Sequence, residues 1–107
     1  MSVALALLSA HLLADFPLQT DKIAANKLDN ANVRSIHVMI HMLMTLLFVG
    51  LAVGPSAAIT ATFFVAIFHF VIDSRRWAKP KDGFELYPIA VDQSLHITSL
   101  FLVSLLL

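Results

Sequence analysis

Each of the five histidines in this chain has an aspartate or another histidine four positions away. The pairs are His11 with Asp15, His37 with His41, His69 with Asp73, and Asp92 with His96. On an α-helix, a spacing of four residues places both side chains on one face, about one turn apart. Imidazole and carboxylate groups are common ligands of transition metals. The spacing therefore predicts helices that each present a pair of metal ligands.

The composition excludes several other kinds of chemistry. The chain has no cysteine, which rules out disulfides, thiolate metal sites, iron–sulfur clusters and cysteine nucleophiles. It has no glycine-rich phosphate loop and no dinucleotide-binding fingerprint. Because no basic face suited to nucleic acid is present, no nucleic-acid partner is expected.

Long apolar blocks separate the polar stretches of the chain. Hydrophobic residues make up 59% of the sequence and charged residues 13%. Residues 35–53, 56–72 and 93–107 contain no Asp, Glu, Lys or Arg. A helix of about 20 apolar residues crosses the roughly 30 Å hydrocarbon core of a bilayer. Each block is close to that length, so the sequence predicts an integral membrane protein whose partner is the lipid bilayer.

The predicted fold is an all-α, antiparallel up-down four-helix membrane bundle that forms a single domain over residues 1–107. Its helices are expected at about 2–16, 33–53, 56–74 and 87–107. The first is short, about 22 Å, because Pro17 disfavours helical backbone at Phe16. A brief interfacial helix capped by Thr20 is expected over 21–28. A signal peptide is the weaker interpretation of the N-terminal segment, because this segment lacks a basic region and a small-residue cleavage pattern.

All basic residues lie in or beside two of the predicted loops. These residues are Lys22, Lys27, Arg34, Arg75, Arg76, Lys79 and Lys81. By the positive-inside rule both loops face the cytoplasm. The predicted topology brings the four pairs to the cytoplasmic half of the bundle in two layers. The inner layer is His11, His41, His69 and His96; the outer layer is Asp15, His37, Asp73 and Asp92.

Burial of three aspartates at membrane depth calls for a compensating charge. A charged aspartate there costs about 2.5–3.5 kcal/mol. A bound divalent cation offsets this cost, so we expect a metal site with the four inner histidines as core ligands and the outer layer as further ligands. Zinc is the first candidate metal, and iron, manganese and nickel also suit these ligands. Competing interpretations are interhelical hydrogen bonds alone, haem held by two histidines, and copper bound with the help of Met39, Met42 and Met44.

Four segments carry a family resemblance: "HLLADFPLQTDKIAANK", the spacing H-x3-H, "HFVID" and "DQSLH". They resemble a family of small bacterial integral membrane proteins catalogued as domain of unknown function 3307. The matching positions are His11, Asp15, Gln19, Lys27, His37, His41, His69, Asp73, Asp92, Gln93 and His96. The resemblance implies a multi-pass protein of the bacterial inner (cytoplasmic) membrane and implies no activity.

Two classes of function fit this pattern. In the first, the metal activates water to hydrolyse a phosphoester or acyl bond of a lipid or prenyl-type substrate. Asp92 and Asp15 are then the candidate general bases, and Gln19 and Gln93 are candidates for substrate binding. In the second, the cluster binds or transports a divalent metal or protons. A third hypothesis is a structural subunit of a homo-oligomer or larger membrane complex, in which the bound metal stabilises the helices.

The distribution of basic residues makes the topology testable by cysteine labelling. Because the natural sequence has no cysteine, Lys79→Cys and Leu106→Cys each give one reactive site. We expect a membrane-impermeant reagent to label Lys79→Cys only from the cytoplasmic side and Leu106→Cys only from the opposite side. Labelling of both positions from one side would contradict the predicted topology.

Overall fold

The computed structural model describes residues 2–18, 20–26, 30–74 and 86–107, which form five α-helices. Their bounds are α1 Val3–Asp15, α2 Asp21–Asn26, α3 Ala31–Ala52, α4 Pro55–Asp73 and α5 Leu86–Leu106. The described residues contain no strand, which confirms the all-α prediction. Part of the expected interfacial helix is present as α2, and positions 27 and 28 of that expectation lie outside the described residues.

Local side-chain chemistry fixes where the helices begin. The Ser2 hydroxyl accepts a hydrogen bond from the Leu5 backbone N–H at 3.2 Å and caps α1. The Asn30 side chain accepts from two backbone N–H groups of the first turn of α3. This cap explains why α3 begins at Ala31, two residues before the predicted start. Gly54 has a φ of 136°, which turns the chain directly into α4.

The four longer helices pack side by side in a closed ring. Helix α3 lies against α1 and α4, and α5 lies against α4 and α1. Asp15, the last residue of α1, contacts His37 near the start of α3, so these two helices are antiparallel. Asp73, the last residue of α4, contacts both His37 of α3 and His96 of α5. The helix ends that carry the polar pairs therefore meet at one end of the bundle.

The other end of the bundle has an apolar core. It consists of Ala6, Leu7, Val49, Ala58, Ala61, Val65, Leu100 and Val103, all at most 8% exposed. Many large apolar side chains face outward instead, including Leu51 at 81% exposure and Leu105 at 72%. By length and composition, α3 and α4 are apolar enough to cross a membrane, while α1 and residues 90–106 form shorter apolar helices.

Small side chains allow α1 to approach its neighbours closely. Ala6, Ala10 and Ala14 recur every four residues along one face and are at most 1% exposed. A larger side chain on this face would have to displace a neighbouring helix, because packed interiors leave no spare volume.

We therefore expect Ala10→Leu to lower the free energy of unfolding by about 1–3 kcal/mol. The matched control is Ala4→Leu on the exposed face of the same helix, which should change stability little. Unfolding of both variants in detergent, followed by circular dichroism, measures the difference. Equal stability of the two variants would contradict the packing of α1 described above.

Candidate metal centre

Among the described residues, the polar end of the bundle holds seven buried ionisable side chains. They are at most 3% exposed and comprise His11, Asp15, His37, His41, His69, Asp73 and His96. Helices α1 and α4 contribute the two aspartates at their last residues and a histidine one turn earlier, whereas α3 and α5 contribute histidines from their N-terminal halves. Four helices thus direct polar groups into one enclosed volume.

The carboxylate of Asp15 is the centre of one group of contacts. Its Oδ1 accepts hydrogen bonds from Nε2 of His37 at 3.0 Å and from Nε2 of His41 at 2.9 Å. Its Oδ2 lies 3.2 Å from Nε2 of His11, one turn earlier on the same helix. Nε2 of His69 is farther away, 4.0 Å from Oδ1. Three helices therefore converge on a single carboxylate.

Asp73 is the centre of a second group. Nε2 of His69 lies 2.9 Å from its Oδ2, and Nε2 of His96 lies 3.2 Å from its Oδ1. Nε2 of His37 is 3.5 Å from Oδ2, so this imidazole lies between the two aspartates. All five histidines thus direct Nε2 toward Asp15 or Asp73.

The four histidines of the predicted inner layer lie together. Ring centroids of His41 and His69 are 3.7 Å apart, and those of His69 and His96 are 4.2 Å apart. His11 completes the group, 5.2 Å from His41 and 5.3 Å from His96. The spacing of four in the sequence identified side chains that the fold brings into direct contact.

The orientation of His96 is set by its own helix. Its Nδ1 lies 2.8 Å from the backbone oxygen of Asp92. Since a carbonyl oxygen only accepts, Nδ1 carries a proton, and Nε2 of the same ring is directed at Oδ1 of Asp73, 3.2 Å away. Among the described residues, Nε2 of His96 and Nε2 of His69 make no hydrogen bond. An Nδ1–H bonded to a backbone carbonyl with Nε2 left available is typical of a metal-binding histidine.

Gln93 connects His11 to the aspartates. Its amino group donates to Oδ2 of Asp15 at 3.0 Å and, at 3.3 Å, to Oδ2 of Asp92. The amide oxygen therefore faces Nε2 of His11, which donates to it at 3.0 Å. In this arrangement Nε2 of His11 is engaged by Gln93 and Asp15, whereas its buried Nδ1 makes no hydrogen bond within the described residues.

Among the remaining predicted site residues, Asp92 lies at the edge of the centre. The Asp92 side chain is 15% exposed and lies 3.5 Å from Nδ1 of His96, which makes it the least buried carboxylate of the group. Gln19 lies outside the described residues. Gln93 stays a predicted substrate-binding residue, and its position three residues before His96 on the same helical face is consistent with its contacts at the centre.

A comparison with protein-family models identifies the chain. The model described as Protein of unknown function (DUF3307) matches residues 3–107. The chain belongs to this family. No curated protein and no solved structure matches it. Membership of DUF3307 confirms the resemblance seen in the sequence and names no reaction, so the chemistry has to be argued from the site.

Two sets of side chains in this DUF3307 member are positioned to hold a metal ion. The first is Asp15, His37, His41 and His69, and the second is His69, Asp73 and His96. Within each set, the possible ligand atoms all lie within 4.8 Å of one another. Ligands at about 2.0–2.1 Å from a tetrahedral ion lie roughly 3.3 Å apart, so small side-chain movements would complete either set.

Asp15 should therefore be required for metal binding. Asp15→Asn removes the negative charge that faces three imidazoles, and we expect metal affinity to fall by at least about 10–100-fold. Thr45→Val is the matched control, because Thr45 is also buried but lies one turn beyond His41 on α3. Metal content after equilibrium dialysis against buffered Zn²⁺ measures both variants. Equal affinity of the two would remove Asp15 from the ligand set.

Proposed function

We propose that this protein is an integral membrane protein that binds a divalent metal at the polar end of its bundle. We further propose that it uses the metal to hydrolyse a phosphoester or acyl bond of a lipid or prenyl-type substrate. The observation that carries the proposal is the convergence of five imidazole Nε2 atoms on two buried carboxylates. The basic loops and this centre would face the cytoplasm.

The distribution of side chains supports a membrane location. Apolar side chains such as Leu43, Leu51, Phe63 and Leu105 are more than half exposed, whereas histidines and aspartates fill the interior at one end. Contiguous exposed apolar surface of this kind is unfavourable in water and suits the hydrocarbon core of a bilayer. The two helices of sufficient length, α3 and α4, both take part in this surface.

A metal ion would account for the burial of Asp15 and Asp73. At membrane depth their two charges cost roughly 5–7 kcal/mol, and both lie at helix C-termini, where the helix dipole disfavours negative charge. A divalent cation reverses both effects. Zinc is the first candidate, and iron, manganese or nickel would suit the same imidazole and carboxylate ligands.

The interior beyond the centre lacks buried ionisable groups among the described residues, which favours hydrolysis over transport. Toward the opposite end of the bundle, the interior continues with the buried hydroxyls of Thr45, Thr62 and Ser99 and then with the apolar core. No ionisable side chain of the described residues is buried in that core. An ion or proton crossing the bundle would meet this apolar core without a partner.

Asp92 is the side chain best placed to act as a general base. It is partly exposed, whereas Asp15 is enclosed and its two oxygens contact three histidines and Gln93. A metal with an open position lowers the pKa of bound water to near neutrality. A carboxylate at the rim of the centre could take the proton of that water and release it to solvent.

Binding or transport of a metal or of protons is the second candidate function. The contact of His41, His69 and His96 in series favours it, because chains of imidazoles are used in proton relays. A purely structural metal within a larger complex would share the same ligands without an open position.

Hydrolysis should depend on Asp92 while metal binding does not. We expect Asp92→Asn to keep its fold and metal but to lose turnover by about 10²–10⁴-fold, because a general base contributes that much. Release of product from a panel of phospholipids and prenyl phosphates by purified protein is the measurement. Ser94→Ala, an exposed neighbour on the same helix, is the matched control.

Two results would contradict the hydrolase proposal. One is full activity of Asp92→Asn, which would remove this residue from the reaction. The other is a wild-type protein that hydrolyses no member of the panel but carries divalent metal across proteoliposome membranes, which would establish transport in its place.

A further inference from the structure

We infer that the polar end of the bundle binds two metal ions, each held by two imidazoles and one carboxylate. This inference rests on the proposed metal binding and concerns the number of ions and the division of ligands between them. The first set is Asp15, His37 and His41; the second is His69, Asp73 and His96. The six residues are at most 3% exposed.

The position of His69 decides how the ligands divide. It is the one residue common to both candidate sets, and its Nε2 offers a single lone pair, which can bind a single ion. Nε2 of His69 lies 2.9 Å from Oδ2 of Asp73 but 4.0 Å from Oδ1 of Asp15. Assigning it to Asp73 leaves two equal sets of two histidines and one aspartate.

The second set contains nitrogen atoms that the fold leaves unsatisfied. Nε2 of His69 and Nε2 of His96 are buried and make no hydrogen bond within the described part of the chain. The Nδ1–H of His96 is held by the backbone oxygen of Asp92, so Nε2 is the nitrogen directed into the second set. A cation between His69, His96 and Asp73 would satisfy both nitrogens and bind the carboxylate that they face. One ion bound only by the first set would leave the second set unchanged.

Contacts between the two sets are short enough for the ions to be neighbours. Nε2 of His37 lies 3.5 Å from Oδ2 of Asp73, and Nε2 of His69 lies 4.0 Å from Oδ1 of Asp15. Two-metal sites in hydrolytic enzymes hold their ions about 3.5–4 Å apart. Each aspartate thus faces histidines of both sets and could bridge the ions through its two oxygens.

The carboxylate of Asp92 contributes to the charge balance of such a centre. Two divalent ions carry four positive charges against the two negative charges of Asp15 and Asp73. The carboxylate of Asp92, 3.5 Å from Nδ1 of His96, supplies a third negative charge. The remaining positive charge favours an anionic ligand, so the site would prefer a phosphate-bearing substrate over a neutral acyl ester.

Metal stoichiometry tests the inference directly. The full chain in detergent is stripped with chelator, reloaded with Co²⁺ or Mn²⁺, dialysed and assayed for metal and protein. We expect two ions in the wild type and one in His96→Ala, which loses the second set. Thr45→Val is the matched control, because Thr45 is buried one turn beyond His41 on α3 and belongs to neither set, and it should retain two ions.

Spectroscopy of the wild type keeps the test independent of variants that fail to fold. Two Mn²⁺ ions at this separation should give a spin-coupled electron paramagnetic resonance spectrum, whereas isolated ions give the uncoupled one. One uncoupled ion per chain would overturn the two-ion centre and leave the proposed metal binding intact. No bound ion under any loading condition would overturn both.

Discussion

The burial of two carboxylates at helix C-termini is the constraint on which the rest of the structure depends. Asp15 and Asp73 are the last residues of α1 and α4, where the helix dipole opposes their charge and little water reaches them. Positive or hydrogen-bond-donating groups must therefore surround them. The histidines of α3 and α5 supply these groups from helix starts, and this is possible only if neighbouring helices run antiparallel with their ends aligned. The need to surround these two carboxylates therefore sets the register of the helices in the bundle.

The same constraint divides the interior into two unlike halves. Around the aspartates, the bundle excludes water but is held together by hydrogen bonds and imidazole contacts. Beyond Thr45, the helices pack through alanine, valine and leucine, and the small residues of α1 allow that short helix to lie close to its neighbours. The apolar half gives the polar half a rigid frame. A buried polar cluster without such a frame would be free to rearrange or to admit water.

Much of this arrangement could be predicted from the sequence because it depends on local spacing. The four-residue pairs identified the buried histidines, and the apolar blocks identified the long helices. The spacing could not predict which side chains of different helices contact each other. Asp15 contacts His37 and His41 of α3 as closely as it contacts His11 of its own helix, because the rotation and register of α3 decide those distances. The hydrogen bonds of Gln93 to His11 and Asp15 were not predicted for the same reason, since they reach from α5 to α1.

The contacts between helices also distinguish Asp15 from Asp92, two candidate general bases that the sequence alone did not distinguish. Asp15 and Asp92 are both carboxylates four residues from a histidine, and either was a candidate general base. In the fold, Asp15 is enclosed by histidines and Gln93, so freeing it to accept a proton from water would disrupt the ligand arrangement itself. Asp92 keeps part of its side chain exposed and reaches the centre through Gln93 and His96. In the proposed hydrolysis, a proton accepted by Asp92 would leave to solvent without moving a proposed ligand, which is the property that a base must have to act repeatedly.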